Sequence, residues 1–72
     1  MSAALVDRER TEMLYEWAAY DAARIKDDME QLEEDKNVYT AARYAEMKAF
    51  YLDELGAAER KLARLTPLLA AQ

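Results

Sequence analysis

Glu33–Asn37 reads EEDKN, five polar residues in succession within a chain that otherwise keeps helical periodicity over most of its length. An amphipathic helix with an unbroken seam meets an apolar contact every three or four residues, so a long helix would end here. Asn37 suits a left-handed turn or the cap of a following helix. Thr40 is a second cap candidate, with Tyr39 and Tyr44 placed around it as a hydrophobic staple. The heptad registers on the two sides of the gap do not join in a way that keeps both seams. These features predict a tight turn at about 35–38 between two long antiparallel helices. A single helix running through the gap is the alternative, since no Gly or Pro stands there.

Upstream, helix 1 is expected over about 3–34. Ser2 is a candidate N-cap, and Asp7 and Glu9 suit the early turns. Leu14, Ala18, Ala22, Ile25, Met29 and Leu32 form one apolar stripe at three-and-four spacing. Val6, Met13, Trp17 and Tyr20 widen it in the first half. The opposite face is charged, with Glu12, Glu16, Lys26, Asp27 and Glu30 among others.

Downstream, helix 2 is expected over about 38–65, because Pro67 disfavours helical backbone at Thr66. Residues 66–72 would form a short tail, with Leu68 and Leu69 folding back on the bundle end. Gly56 offers an earlier stop, with a third short helix from Ala57. Two stripes run along helix 2. One is a line of small residues at seven-residue spacing, Ala42, Ala49, Gly56 and Ala63, which would admit a second helix closely. The other is Tyr44, Tyr51, Leu55, Ala58, Leu62 and Leu65. The run Ala49-Phe50-Tyr51-Leu52 is apolar around the whole helix and predicts a middle buried on most sides.

Two stripes ask for two packing partners, and one fold-back supplies only one. The expected fold class is therefore all-α, a single helical-hairpin domain spanning 1–72 that dimerises into a four-helix bundle. At 72 residues a lone core contributes little. There is no Cys and no His, which removes disulfide staples and zinc sites built on thiolate or imidazole. One Gly, one Pro and 53% hydrophobic residues fit a helical composition, and 10% aromatics are too many for a disordered chain. No apolar run approaches a membrane span, and MSAALVDRER lacks the basic start and apolar block of a secretory signal. A soluble, cytoplasmic protein is expected, with no membrane partner.

The net charge of −5 argues against direct nucleic-acid binding. The acids concentrate in DDMEQLEED, where Asp27, Asp28, Glu30, Glu33, Glu34 and Asp35 form an acidic surface without an intervening base. That run lacks the alternating oxygens and turn glycine of an EF-hand loop, so it reads as a solvated helix end or a docking surface for a basic partner. Asp21 falls inside the apolar stripe by helical angle. It is expected at a seam edge, paired with Arg24 or a base on the facing helix.

Phe50 lies on the polar side of helix 2, with Glu46, Asp53 and Glu54 at adjacent turn spacing. An aromatic ringed by charges resembles a binding hot spot with its polar rim. Trp17 and Tyr20, with Arg10 and Arg24, make an aromatic–arginine surface suited to homodimer contact. Phe50, Trp17, Tyr20, Tyr44, Tyr51, Leu55 and Leu62 are therefore the expected protein-binding residues. Thr11, Thr40 and Thr66 have no His to activate them, and no glycine-rich phosphate loop occurs. No catalytic, cofactor or metal residue is expected. The functional expectation is a small acidic module that binds another protein through a helical surface, as adaptor or inhibitor. Alternatives are an acidic decoy that occupies a nucleic-acid-binding groove and a structural subunit of a larger assembly.

Overall fold

The computed structural model describes residues 3–71, and the side chains of residues 7–71. Two helices, α1 (Ala3–Glu34) and α2 (Ala41–Ala70), are joined through a 3₁₀ turn at Lys36–Val38. They pack antiparallel into a rod with Cα extents of 55 × 14 × 14 Å. Among the described residues there is no strand. The Ser2 cap lies outside the described residues, as does the Val6 side chain.

The turn falls where the polar gap predicts it. The Asp35 N–H donates to the Gln31 carbonyl at 3.0 Å and Val38 N–H to Asp35 at 2.8 Å. Asn37 does not enter the left-handed region; no non-glycine among the described residues does. Thr40 is the working cap: its backbone is extended, and its hydroxyl accepts the Arg43 N–H at 3.1 Å. α2 accordingly starts at Ala41 rather than near 38, because residues 36–38 are spent on the 3₁₀ turn.

Thr11, Tyr15, Ala18, Ala22, Ile25, Met29 and Leu32 turn inward on α1, at alternating spacings of four and three. Opposite them lie Tyr44, Met47, Tyr51, Leu55, Ala58, Leu62, Leu65 and Leu69. The centre is Ala22, Ile25 and Ala58, with Met29, Tyr51, Leu55 and Leu62 packed against it. Ile25 is 3% exposed. Small side chains do bring the helices together, but they are Ala18, Ala22 and Ala58.

Several expectations are corrected. The Ala42–Ala49–Gly56–Ala63 line does not receive α1: its alanines are exposed and Gly56 is half-buried. Burying the tyrosine–leucine stripe removes more apolar area from water than burying alanines would, so that stripe wins the fold-back. Leu14 is left outside and Tyr15 takes its place, following the 3.5-residue repeat of a paired seam. In Ala49–Leu52 only Tyr51 turns inward; Ala49, Phe50 and Leu52 are exposed.

α2 also passes through Pro67 to Ala70 instead of stopping near 65. Proline removes one N–H and crowds one carbonyl, and at three residues from the helix end little ladder remains to lose. The Thr66 hydroxyl donates back to the Leu62 carbonyl at 2.7 Å, and Leu69 is half-buried in the seam. Leu68 and Leu69 are therefore helical rather than folded back. Gly56 does not interrupt α2. No described helix is long and apolar enough to cross a membrane.

Candidate functional site

The fold-back decides which aromatic residues face water. Trp17 is 61% exposed and Tyr20 70%, and Met13 and Leu14 beside them are also exposed. These four lie on the flank and back of α1, one turn apart, because Ala18 and Ala22 of the same turns take the seam. Between α1 and α2 at the open end of the hairpin, Leu14, Trp17, Ala18 and Leu65 line a cleft of about 350 Å³. Its rim carries Asp21 on α1 and Lys61 and Arg64 on α2.

The rim is unequally neutralised. Asp21 meets Arg24 at 3.9 Å, and Arg24 also meets Asp28 at 3.6 Å; the Asp21–Arg24 pairing read from the sequence holds. Lys61 and Arg64 have no carboxylate within 4.0 Å among the described residues. From Arg60 to the end, the sequence carries three bases and no acid. A local excess of positive charge therefore borders an apolar cleft on a chain of net charge −5.

Phe50 is 59% exposed. Its ring meets Tyr51 edge-on, with centroids 5.8 Å apart. It lies in a shallow hollow with Arg43, Glu46 and Met47, where Arg43 and Glu46 pair at 3.4 Å. On α2, Phe50, Glu54, Ala57, Lys61, Arg64 and Leu68 recur at three-and-four spacing, so Phe50 shares one face with the rim of the cleft. Asp53 and Glu54 beside it have no base within 4.0 Å among the described residues.

At the turn end, the Tyr44 hydroxyl donates to the Glu33 carboxylate, and the Lys48 ammonium lies 3.6 Å from the same oxygen. Lys36 and Lys48 sit 5.8 and 5.7 Å from the Tyr44 ring centroid. The Tyr44 hydrogen bond, with help from Lys48 and Lys36, holds the Glu33 carboxyl below its ordinary range. The same bond pushes the Tyr44 phenol up, and Tyr44 and Glu33 raise Lys48.

The binding set read from the sequence thus divides. Tyr51, Leu55 and Leu62 pack on the hairpin's own centre, and half-buried Tyr44 is committed to Glu33 and Lys48. Phe50, Trp17 and Tyr20 keep most of their surface in water. Leu14 and Lys61 join them as residues that sequence reasoning missed, together with Arg64, which the sequence places two heptads from Phe50; three bases without an acid after Glu59 were the available signal for the cations. Of the acidic run, Asp28 is held by Arg24, Glu33 by Tyr44 and Lys48, and Asp35 by the Gln31 amide at 2.9 Å. Asp27, Glu30 and Glu34 are exposed. Among the described residues no group of three or more acidic side chains is arranged to hold a metal ion. No protein-family model, no curated protein and no solved structure matches the chain.

Proposed function

We propose that this chain is a small acidic protein-interaction module of the cytoplasm, which acts by docking its helical surface on another polypeptide without catalysis. The observation that carries this reading is the exposure of Trp17 in a cleft also lined by Leu14 and Leu65, with Phe50 exposed farther along the same face of α2. Aromatic anchors with a charged rim are the usual makeup of interface hot spots, and contiguous apolar surface on a small soluble chain marks an interaction site. The intramolecular partners of Asp28, Glu33 and Asp35 weigh against a nucleic-acid decoy, whose carboxylates would need to be free.

The test is capture of partners from the native cell with the wild-type chain, Phe50→Glu and Trp17→Ala. Loss of a specific partner in both variants, with helicity intact, supports the reading; capture unchanged in both overturns it. Binding that survives moderate salt fits hot-spot docking. Binding that collapses as exposed charges are screened, and that follows Glu30 and Glu34 instead of Phe50, fits the decoy.

A further inference from the structure

We infer that the occupant of the Trp17 cleft is Phe50 of a second copy of this chain, placed there reciprocally by a twofold axis that crosses α2 at Ala57. This rests on the docking reading above and names the docked chain. Phe50 and Arg64 each lie seven residues from Ala57, about 10 Å along the helix on either side. An antiparallel second copy, α2 over α2, therefore sets each Phe50 level with the other copy's Arg64, at the mouth of its cleft. The cleft volume of about 350 Å³ is ample for a phenyl ring.

The charges match in the same register. Glu54 of one copy comes within one residue's rise of Lys61 of the other on one side of the contact, Asp53 likewise of Arg60 on the other side, and the axis repeats both matches. Among the described residues, all four groups are without an opposite charge within 4.0 Å in the lone hairpin. Complementary potentials of this kind fix register and steer encounter. An isologous contact requires one surface to complement itself, and this face does so, with an aromatic plug and carboxylates at one end and an aromatic-lined cleft and bases at the other. A parallel second copy would set Phe50 on Phe50 and carboxylate on carboxylate.

Area agrees. A rod 55 Å long and 14 Å across between Cα atoms presents a face on the order of 800 Å², which is what a stable interface buries per partner. The lone hairpin also has reason to recruit one, since Ile25 and Leu32 are the only large apolar side chains buried among the described residues, and neither is wholly covered.

The chain has no cysteine, so single introduced thiols report on this geometry cleanly. Under mild oxidation Ala57→Cys should join two copies rapidly, while Ala49→Cys and Ala63→Cys, on the back of α2, should not. Sedimentation equilibrium should show a dimer at micromolar concentration, and Phe50→Glu should make it monomeric with helicity kept. Lys61→Asp should weaken it by about tenfold or more, and the Glu54→Lys/Lys61→Asp swap should restore it. Cross-linking no faster at 57 than at 49 or 63, or a dimer indifferent to Phe50→Glu, overturns the inference. A monomer at hundred-micromolar concentration overturns it too: if such a monomer still captures a cellular protein through Phe50, the docking reading stands, and if it does not, both fall.

Discussion

Tyr44 hydrogen-bonds Glu33 across the turn end of the hairpin, and this contact ties the first turn of α2 to the last turn of α1. The expected consequence is a pH dependence on both sides of neutrality. Glu33 titrates lower folded than unfolded, so its contribution is complete above its unfolded pKa and is lost as pH falls through the folded value. Tyr44 and Lys48 titrate higher when folded, so theirs is complete below their unfolded pKa values and is lost as pH rises through the folded ones. Tyr44→Phe should make the acid limb of a melting-temperature profile shallower. A limb unchanged in slope would show that the contact contributes nothing in solution.

Ile25 is the largest side chain at the centre of the seam. Ile25→Ala should cost about 2–5 kcal/mol in urea unfolding followed by helicity. Ala58→Leu should cost about 1–3 kcal/mol by forcing the helices apart. A neutral Ala58→Leu would mean that the helices can separate at that level without loss.

Thr40 caps α2 through its hydroxyl. Thr40→Ala should cost about 1 kcal/mol and Thr40→Ser nearly nothing, measured as shifts in denaturant midpoint. Equal loss in both would point to the Thr40 methyl rather than the hydroxyl.

Gly56 occupies a helix interior with ordinary backbone angles. A Cβ there would lie 3.2 Å from Arg60 Nη1, the mobile end of a long side chain. Gly56→Ala should therefore stabilise the hairpin by about 0.5–1 kcal/mol. Destabilisation would instead mark the back of α2 as a surface that needs a residue without a side chain.

Pro67 stands in the last turn of α2, where Ala63 receives no backbone N–H from it. Pro67→Ala should raise the unfolding free energy, read from denaturant unfolding, by less than the roughly 3 kcal/mol that proline costs in a helix interior. No change would place the working end of α2 before Pro67.

The hairpin and its turn were legible because a run without apolar contacts, EEDKN, and a capping threonine are local signals, and local signals survive into the fold. The choice between the two stripes of α2 was not. Spacing alone leaves a small-residue line and a tyrosine–leucine line equivalent as helix-packing faces. Only the comparison of how much area each removes from water separates them. Pro67 misled for a related reason: the rule against helix before proline is a cost, and near a helix end a back-bonding Thr66 and a half-buried Leu69 offset it. Phe50 and Trp17 could be picked out as unusual from helical angle. That a cleft with bare cations lies on the same face as Phe50 required both helices in place.

Alanine has no rotamers to freeze, so Ala18, Ala22 and Ala58 let the helices close at little entropic expense. They also contribute little cohesion once closed. A solitary hairpin of this make is expected to open more readily than one closed by larger side chains, and each opening would expose two long segments to proteases. On the docking proposed above, the lifetime of the chain would be set by how often its aromatic side is occupied, and its level would fall whenever the docked chain is scarce.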